Sequence, residues 1–507
     1  MKNFLKFFIN IQKKSCQIKK HMLYYYCYYY ICYFIGEDII KMNLRKFGLM
    51  TLIAAMGTTA FGASIDHIQN YTAEYNANMA QQGAISPTTS VYYNPAGLMR
   101  LQNGTYFTGG VQIAFGKETM KYDTNGNPFA PASSNDYDAD LLAPIPNFAL
   151  IKKDDERAYF WTFGGIAGGG ELEYKDGFAG LKVLEDAVPG IYGINAKDTG
   201  SSATGENMYG QTTLGMAWKV NEKLSLSAAG RVVYGWRNLK ASLNADLEIP
   251  NKMIPNHPIP DGKTILPINA ELDSERTAWG FGGQFGLNYA PNDTWNIGMR
   301  YDTKIEMEFE ADATSRKVQT GMPSFPFEGL GFEQFFPQYA DGAKYRRDLP
   351  AIFAIGASQK VTDRWTMFYG ANYYFNESAK IDKDVVYVNP VTKKAETGLE
   401  YDNGWEISVG TEYWLNEKWA VLGGVNYAKT GAKTESYSDV EFAVDSVLVG
   451  MGVKYRPDED TEWVVSTSHY FYEESDGNFA TKYNGKANTQ SYDKNISSIG
   501  FSYTKKF

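Results

Sequence analysis

Few side chains in this sequence belong to the types that do covalent or metal chemistry. Beyond residue 62 there are three histidines, His67, His257 and His469, and no cysteine, because Cys16, Cys27 and Cys32 all come earlier. None of the three histidines has a partner at the short spacings that put two ligands on one zinc ion. A serine hydrolase needs a base beside its nucleophile, yet His469 alternates with Val465 and Phe471 on an apolar face. Asp136-Tyr-Asp138-Ala-Asp140 has the alternating carboxylates of a calcium loop but lacks the glycine and the closing glutamate. No catalytic residue, metal ligand or cofactor is expected. What remains is recognition chemistry. Arg231, Arg237 and Arg300 each fall on the polar face of an alternating segment, where a guanidinium is suited to holding a carboxylate. On the same face they are equally placed to pair with Asp302, Glu406 or Glu412.

The elements that carry these arginines alternate with period two. In residues 279–289, Trp279, Phe281, Phe285, Leu287 and Tyr289 share one face, and Gly280, Gly282, Gln284, Gly286 and Asn288 the other. The next segment sets Trp295, Ile297, Met299 and Tyr301 against Asn296, Gly298, Arg300 and Asp302, after the turn Pro291-Asn292-Asp293. An apolar face bounded by aromatic rings matches a lipid-facing strand with interfacial girdles. A second face of glycine, asparagine and charge would be a poor soluble core but suits a lumen. Composition agrees: 37 Tyr, 29 Phe and 49 Gly are abundant for the chain length. Residues 63–507 hold no apolar run of the roughly 18 residues that a membrane helix needs. The predicted fold is therefore all-β and transmembrane.

Fourteen antiparallel strands are predicted between residues 104 and 507. Short turns at 153–157, 220–222, 291–293, 362–364, 415–418 and 457–461 alternate with long loops at 115–145, 169–205, 238–276, 312–348, 384–402, 432–443 and 476–494. That alternation, with an even strand number, predicts periplasmic turns, extracellular loops and both barrel ends in the periplasm of a bacterial outer membrane. The chain closes on Ile499-Gly-Phe501-Ser-Tyr503-Thr-Lys505-Lys-Phe507. This end resembles the terminal strand that barrel-assembly machinery recognises, apart from Lys505.

The preceding residues divide in three. Met42-Asn-Leu-Arg-Lys, the uncharged run 47–61 and Ala60-Phe61-Gly62 have the order of a secretory signal peptide over 42–62, cut after Gly62 or Ala63. Residues 1–41, with tyrosine runs at 24–26 and 28–30, read as upstream sequence translated ahead of the true start at Met42. Residues 1–62 carry nine Lys/Arg and two Asp/Glu, so the rest has a net charge of −16 against −9 overall. An acidic remainder argues against nucleic acid as a partner. Residues 63–103 do not alternate. Ile65, Ile68, Tyr71 and Tyr75 have helical spacing, with Asp66 as a helix-start carboxylate, and Tyr92-Tyr93-Asn94-Pro95-Ala96-Gly97-Leu98 follows. A polar piece ahead of a polar-lined barrel fits a small helical plug, or hatch, inside it.

On these residues the chain resembles the FadL-type outer-membrane transporters of long-chain fatty acids and other hydrophobic compounds. The resemblance spans 65–507. It rests on Asn94-Pro95-Ala96, on the hairpin from Trp279-Gly-Phe-Gly-Gly to Arg300-Tyr301-Asp-Thr-Lys304-Ile-Glu-Met-Glu-Phe309, on Leu349-Pro350 and on the strand count. The chain departs from the family in lacking a glycine-rich run upstream of Asn94, where it has Asn76-Ala-Asn-Met-Ala80. The resemblance implies a hatch, capture of ligand between two extracellular loops, an internal pocket, and lateral release at a kinked third strand. Two loops are apolar enough for the capture groove. One offers Leu243, Leu247, Met253 and Ile254, the other Met322, Phe325, Phe327, Leu330, Phe332, Phe335 and Phe336. Packing of one loop on the other would use the same residues. The expected kink lies at Gly164, Gly165, Gly168 and Gly169, because glycine weakens a strand ladder.

The function implied is passive uptake of long-chain fatty acids or other hydrophobic molecules. A surface adhesin or receptor using the loops is the alternative, with a general diffusion porin third because porins lack a plug. Expected partners are the hydrophobic ligand, outer-membrane lipid and lipopolysaccharide, and the assembly machinery, for a chain that acts as a monomer.

Overall fold

A computed structural model describes residues 70–507 apart from 124–133, 176, 178–194, 255–257, 260, 320–327, 330, 336, 390–392, 398, 438–440 and 478–488. Fourteen strands form one closed antiparallel barrel. The first five are β1 (Gly104–Asp123), β2 (Ser134–Lys153), β3 (Arg157–Tyr174), β4 (Ser202–Lys219, extended by Asn195–Asp198) and β5 (Leu224–Pro250). Next come β6 (Lys263–Tyr289), β7 in two pieces (Trp295–Asp302 and Glu308–Arg316), β8 (Lys344–Arg346 and Ile352–Lys360) and β9 (Trp365–Tyr374). The last are β10 (Gly404–Trp414), β11 (Trp419–Lys429), β12 (Ser446–Asp458), β13 (Thr461–Tyr472) and β14 (Thr489–Lys506). β14 pairs with β1 from Tyr106↔Lys506 to Asp123↔Thr489 and closes the ring. Closure leaves neither terminal strand as a free sheet edge, which a bilayer would not tolerate. Among the described residues no helix is long and apolar enough to cross a membrane; strands make the crossing.

Alternation sorts the two faces as the sequence predicts. Trp279, Phe281, Phe285, Ile407, Val409, Met451 and Val465 point outward, whereas Asn288, Arg300, Asn372, Glu406 and Ser466 are buried in the interior. The strands run further than alternation indicated. β5 and β6 stay paired from Leu224↔Tyr289 to Pro250↔Lys263, some 90 Å at ~3.3 Å per residue, where roughly 9–11 residues cross a bilayer. Most of the predicted loop 238–276 is thus a hairpin standing above the membrane. Much of 115–145 is likewise the continuation of β1 and β2, paired as far as Asp123↔Ser134. Polar outward residues such as Glu271, Asp273 and Glu275 had hidden these extensions, because above the lipid both faces of a strand meet water or sugar.

The hatch fills the lumen. Helix α1 (Ala73–Ala77) is capped by Thr72, whose side chain accepts from the Tyr75 N–H. Ile65, Asp66 and Ile68 of the predicted helix lie outside the described residues. Helix α2 (Pro87–Tyr93) begins at the cap Ser86, with proline in its first turn. A 3-10 turn, Pro95–Arg100, leads into β1. α1 and α2 are buried except at Pro87. Tyr71, Tyr75, Tyr92 and Tyr93 stack on one another and join Leu98, Tyr374 and Tyr470 in the main core cluster.

Candidate functional site

The hatch seat is the first part of the site. Inward-facing glycines let hatch backbone press against the wall: a Cβ on Gly424 would stand 2.9 Å from the Asn78 Cα, and one on Gly410 would collide with the Asn78 amide. Wall side chains then bond the hatch backbone. Gln112 Nε2 donates to the Thr72 carbonyl at 2.8 Å, Ser358 Oγ to Gly83 at 2.7 Å and Arg300 Nη1 to Tyr92 at 2.6 Å. Asn94 of the predicted hatch motif donates to Asn288 Oδ1 at 2.7 Å, and the Ala96 carbonyl accepts from Ser225 Oγ at 2.7 Å. Pro95 opens the 3-10 turn, where a missing N–H costs nothing. The motif therefore docks the hatch to β5 and β6.

Three charges concentrate at this seat. Arg300 Nε lies 3.2 Å from Asp302 Oδ2, and Arg231 Nη1 lies 3.9 Å from the same oxygen. Arg231 Nε also donates to Gln211 Oε1 at 2.8 Å. Both arginines point inward, as parity requires, and both are engaged in the wall with Asp302. Across the lumen Glu74 of α1 accepts from Thr88 at 2.6 Å and from Ser502 at 2.9 Å. Burial holds the Glu74 carboxyl above the ordinary carboxylate range, against the opposing pull of Lys454 and the Thr88 hydrogen bond. Lys454 itself bonds Glu412 at 2.8 Å and lies 3.7 Å from Glu462.

The second part is a break in the wall. β2 and β3 pair from Asn147↔Gly164 to Lys153↔Ala158, and again from Asp140↔Glu173 to Leu142↔Glu171. Between these stretches residues 143–146 face 165–170 without pairing, four residues against six. On the other side β3 shifts register against β4 between Gly165 and Ala167 and again between Ala167 and Gly170. Gly168 has φ of 120° and Gly170 of 65°, in the region that glycine adopts most easily. Gly164, Gly165, Gly168 and Gly169 thus lie in or beside the unpaired stretch; for Gly169 only the backbone is described. Pro144 and Pro146, not among the residues expected at the kink, face this stretch from β2 and have no N–H to give a ladder. Proline on one strand opposite glycine on its neighbour was the legible signal. The Tyr92 hydroxyl of the hatch donates to the Phe148 carbonyl at 3.0 Å, just beside the break.

The third part is the mouth. Leu243 packs with Ala241, Ala270, Leu272, Val318 and Phe332, so the β5–β6 hairpin and the β7–β8 connection meet. Leu247 and Ile254 join Ile249, Leu266 and Ile268 nearer the hairpin tip. Of the remaining predicted groove residues, Met322, Phe325, Phe327, Leu330 and Phe336 lie outside the described residues, and Met253 and Phe335 are described by backbone alone. Arg237 stands directly across the ladder from Arg276. The Arg276 guanidinium is buried, 4.5 Å from the Tyr339 ring centre and 5.9 Å from that of Tyr345. Along β5 this arginine pair lies six residues from Leu243 and two from Gly235, the ladder partner of Tyr209, which meets Phe309 edge to face. Arg276 was missed for want of a register. Among the described residues no cluster of His, Cys, Asp or Glu could hold a metal ion.

A plugged barrel with an interrupted wall and an apolar mouth defines a class: bacterial outer-membrane channels that carry an internal hatch. The sequence profile of the family described as outer membrane protein transport protein (OMPP1/FadL/TodX) matches residues 192–507. The chain belongs to that family, and its place is the bacterial outer membrane. Outer membrane protein P1 of Haemophilus influenzae is 24% identical over 442 residues, covering 82% of this chain and 87% of the relative. The long-chain fatty acid transport protein of Escherichia coli O6:H1 is 20% identical over 450 residues, covering 85% and 91%. In fold, the crystal structure of a Pseudomonas aeruginosa FadL homologue superposes with a TM-score of 0.61 at 16% identity, over 88% of this chain and 100% of that one. The P. putida toluene transporter TodX gives 0.55 at 16% identity, over 86% and 99%.

Proposed function

We propose that this outer-membrane transport protein takes up long-chain fatty acids or similar hydrophobic molecules passively, and releases them sideways through the β2–β3 break. One observation carries the reading: the lumen is closed along its axis by the hatch, whereas the wall beside the hatch has lost its ladder. A hydrophobic ligand gains nothing by entering an aqueous periplasm and much by entering lipid. The filled lumen favours this over an open diffusion pore, and a relative named for fatty-acid transport supports the choice of ligand.

In this scheme the acyl chain is captured by the apolar residues of the two loops, Leu243, Leu247, Met253 and Ile254 on one and Met322, Phe325, Phe327, Leu330, Phe332, Phe335 and Phe336 on the other. At ~0.8 kcal/mol per buried methylene, about five methylenes match millimolar affinity. The candidate partners for a carboxylate are Arg231, Arg237 and Arg300 on the inner wall, with Arg276 across the ladder from Arg237. The outward polar face above the lipid belt is the surface that lipopolysaccharide would meet, and Phe507 the terminus that the assembly machinery would read.

The test is uptake of labelled oleate by cells without the gene, with it, and with Gly168 and Gly169 deleted. The deletion sets four residues against four and allows the ladder to close. Expression is expected to raise uptake and the deletion to return it to background in a barrel that still inserts. Equal uptake with and without the gene would sink the transport reading; full uptake by the deletion variant would sink the lateral route.

A further inference from the structure

β7 does not run straight along the wall. After Gln284↔Asp302 it leaves the ladder of β6, and regular pairing resumes only at Thr277↔Glu310. Residues 278–283 thus face 303–309, six against seven. At the start of this stretch the Thr303 N–H still donates to the Gly283 carbonyl at 3.0 Å. Beyond it the chain is held from the other side: Ile305 bridges Leu349, and the Met307 N–H donates to Asp348 Oδ1 at 3.1 Å. Ile305, Met307 and Phe309 are buried toward the lumen, whereas Glu306 and Glu308 between them are exposed. Glycines on the neighbouring strands make room for the buried three. A Cβ on Gly280 of β6 would collide with Ile305 and Met307, and one on Gly235 of β5 would stand 2.7 Å from the Phe309 ring. Phe309 thereby reaches across β6 and β5 to Tyr209 of β4, with ring centres 5.8 Å apart and planes at 90°. Both rings are fully buried.

This contact lies between two parts of the site. On β7, Phe309 is two residues from Ala311, the ladder partner of Arg276 at the mouth. On β4, Tyr209 is the ladder partner of Ala167, where β3 shifts register beside the wall break. We infer that Phe309, carried inward by the β7 bulge, is a gate: closed against Tyr209, it separates the mouth from the β2–β3 break, and the space it vacates on turning aside sets the width of what passes. The inference rests on the transport reading for what passes but not for its geometry. A phenyl ring suits the task. It fills the passage by apolar packing alone, so turning aside strands no buried charge and breaks no hydrogen bond of its own.

Val233 offers a reporter. It is buried on β5, two residues from Gly235 on the side away from Arg237 and the mouth. Residues 70–507 contain no cysteine, so Val233→Cys introduces a lone thiol behind the gate. The rate at which a membrane-impermeant maleimide labels it from outside is measured on the full chain in intact cells. Adding Phe309→Ala is expected to speed labelling about tenfold or more, because the lost ring leaves a hole that packing only partly refills. Tyr209→Ala opens the same contact from the other side and is read where Phe309→Ala does not insert; heat-modifiable gel mobility shows which variants do. Phe368→Ala is the control. That ring is buried on β9 against Ala80 and Ala84 of the hatch, and its loss is expected to leave the rate unchanged. Labelling at the parental rate in the inserted gate variant overturns the gate, as does labelling just as fast in Phe368→Ala. Uptake of oleate and of a fatty acid tagged with pyrene is followed in parallel. The gate variant is expected to raise the pyrene-to-oleate ratio several-fold, and an unchanged ratio overturns the control of width. Faster labelling in cells that take up no oleate overturns the transport reading and leaves the gate standing.

Discussion

Replacing Arg300 by methionine should unseat the hatch without unfolding the barrel. The guanidinium has two roles in the closed state: it faces Asp302 at 3.2 Å and donates to the Tyr92 carbonyl at 2.6 Å. Methionine keeps most of the volume and removes both. Asp302 is then buried with Arg231 at 3.9 Å as its remaining ion partner, and the Tyr92 carbonyl loses a donor. Breaking a buried pair from one side costs about 3–5 kcal/mol, and the residual attraction of Arg231 argues for the lower end. Because Tyr92 belongs to the hatch, the part of this loss that falls on hatch seating is the charged hydrogen bond, about 1.5–3 kcal/mol, which at 1.4 kcal/mol per decade is roughly a ten- to hundredfold rise in the unseated population. The barrel ladder does not depend on the Arg300 side chain, so heat-modifiable mobility should persist. Single-channel conductance in planar bilayers is the assay, with protease protection of the hatch beside it. Adding Asp302→Asn removes the stranded charge and should recover much of the seating. A variant as closed and as protected as the parent would refute the assignment of Arg300 to the seat, as would a double variant more open than the single one.

Two further outcomes follow from the same geometry. Glu74 is raised by burial, so hatch seating should be strongest below the ordinary carboxylate range and weaken as pH rises through the raised value of the seated state. Protease protection of the hatch measured across that range should show this slope, and Glu74→Gln should flatten it. Leu243→Asp, which puts a charge against the apolar cluster of the mouth, should weaken oleate binding about tenfold by removing a half-buried apolar side chain. Fluorescence titration of the purified protein checks it, and Ile407→Val, on the lipid face, should leave affinity unchanged.

The residues themselves determined the barrel. In lipid every backbone group must be paired within the chain, so segments such as 279–289, apolar on one face and glycine-rich on the other, have one stable arrangement, and tight turns fix their order. The inward direction of Arg231, Arg237 and Arg300 followed from the same parity, and a polar plug ahead of the first strand from helical spacing where alternation is missing. Parity says which wall a side chain faces and nothing about its height or its neighbour. Only the assembled ring placed Arg300 and Arg231 against Asp302 at the hatch and Arg237 beside Arg276 at the mouth, because that choice depends on register between strands far apart in sequence. It also carried β5 and β6 well above the bilayer, where alternation fades since both faces are wetted. The β2–β3 break needed two glycine bulges to meet two prolines on another strand. Period-two patterning is a local property set by the solvent on each face of a strand; the hatch seat and the break are long-range contacts, and only closure of the barrel decides which residues meet.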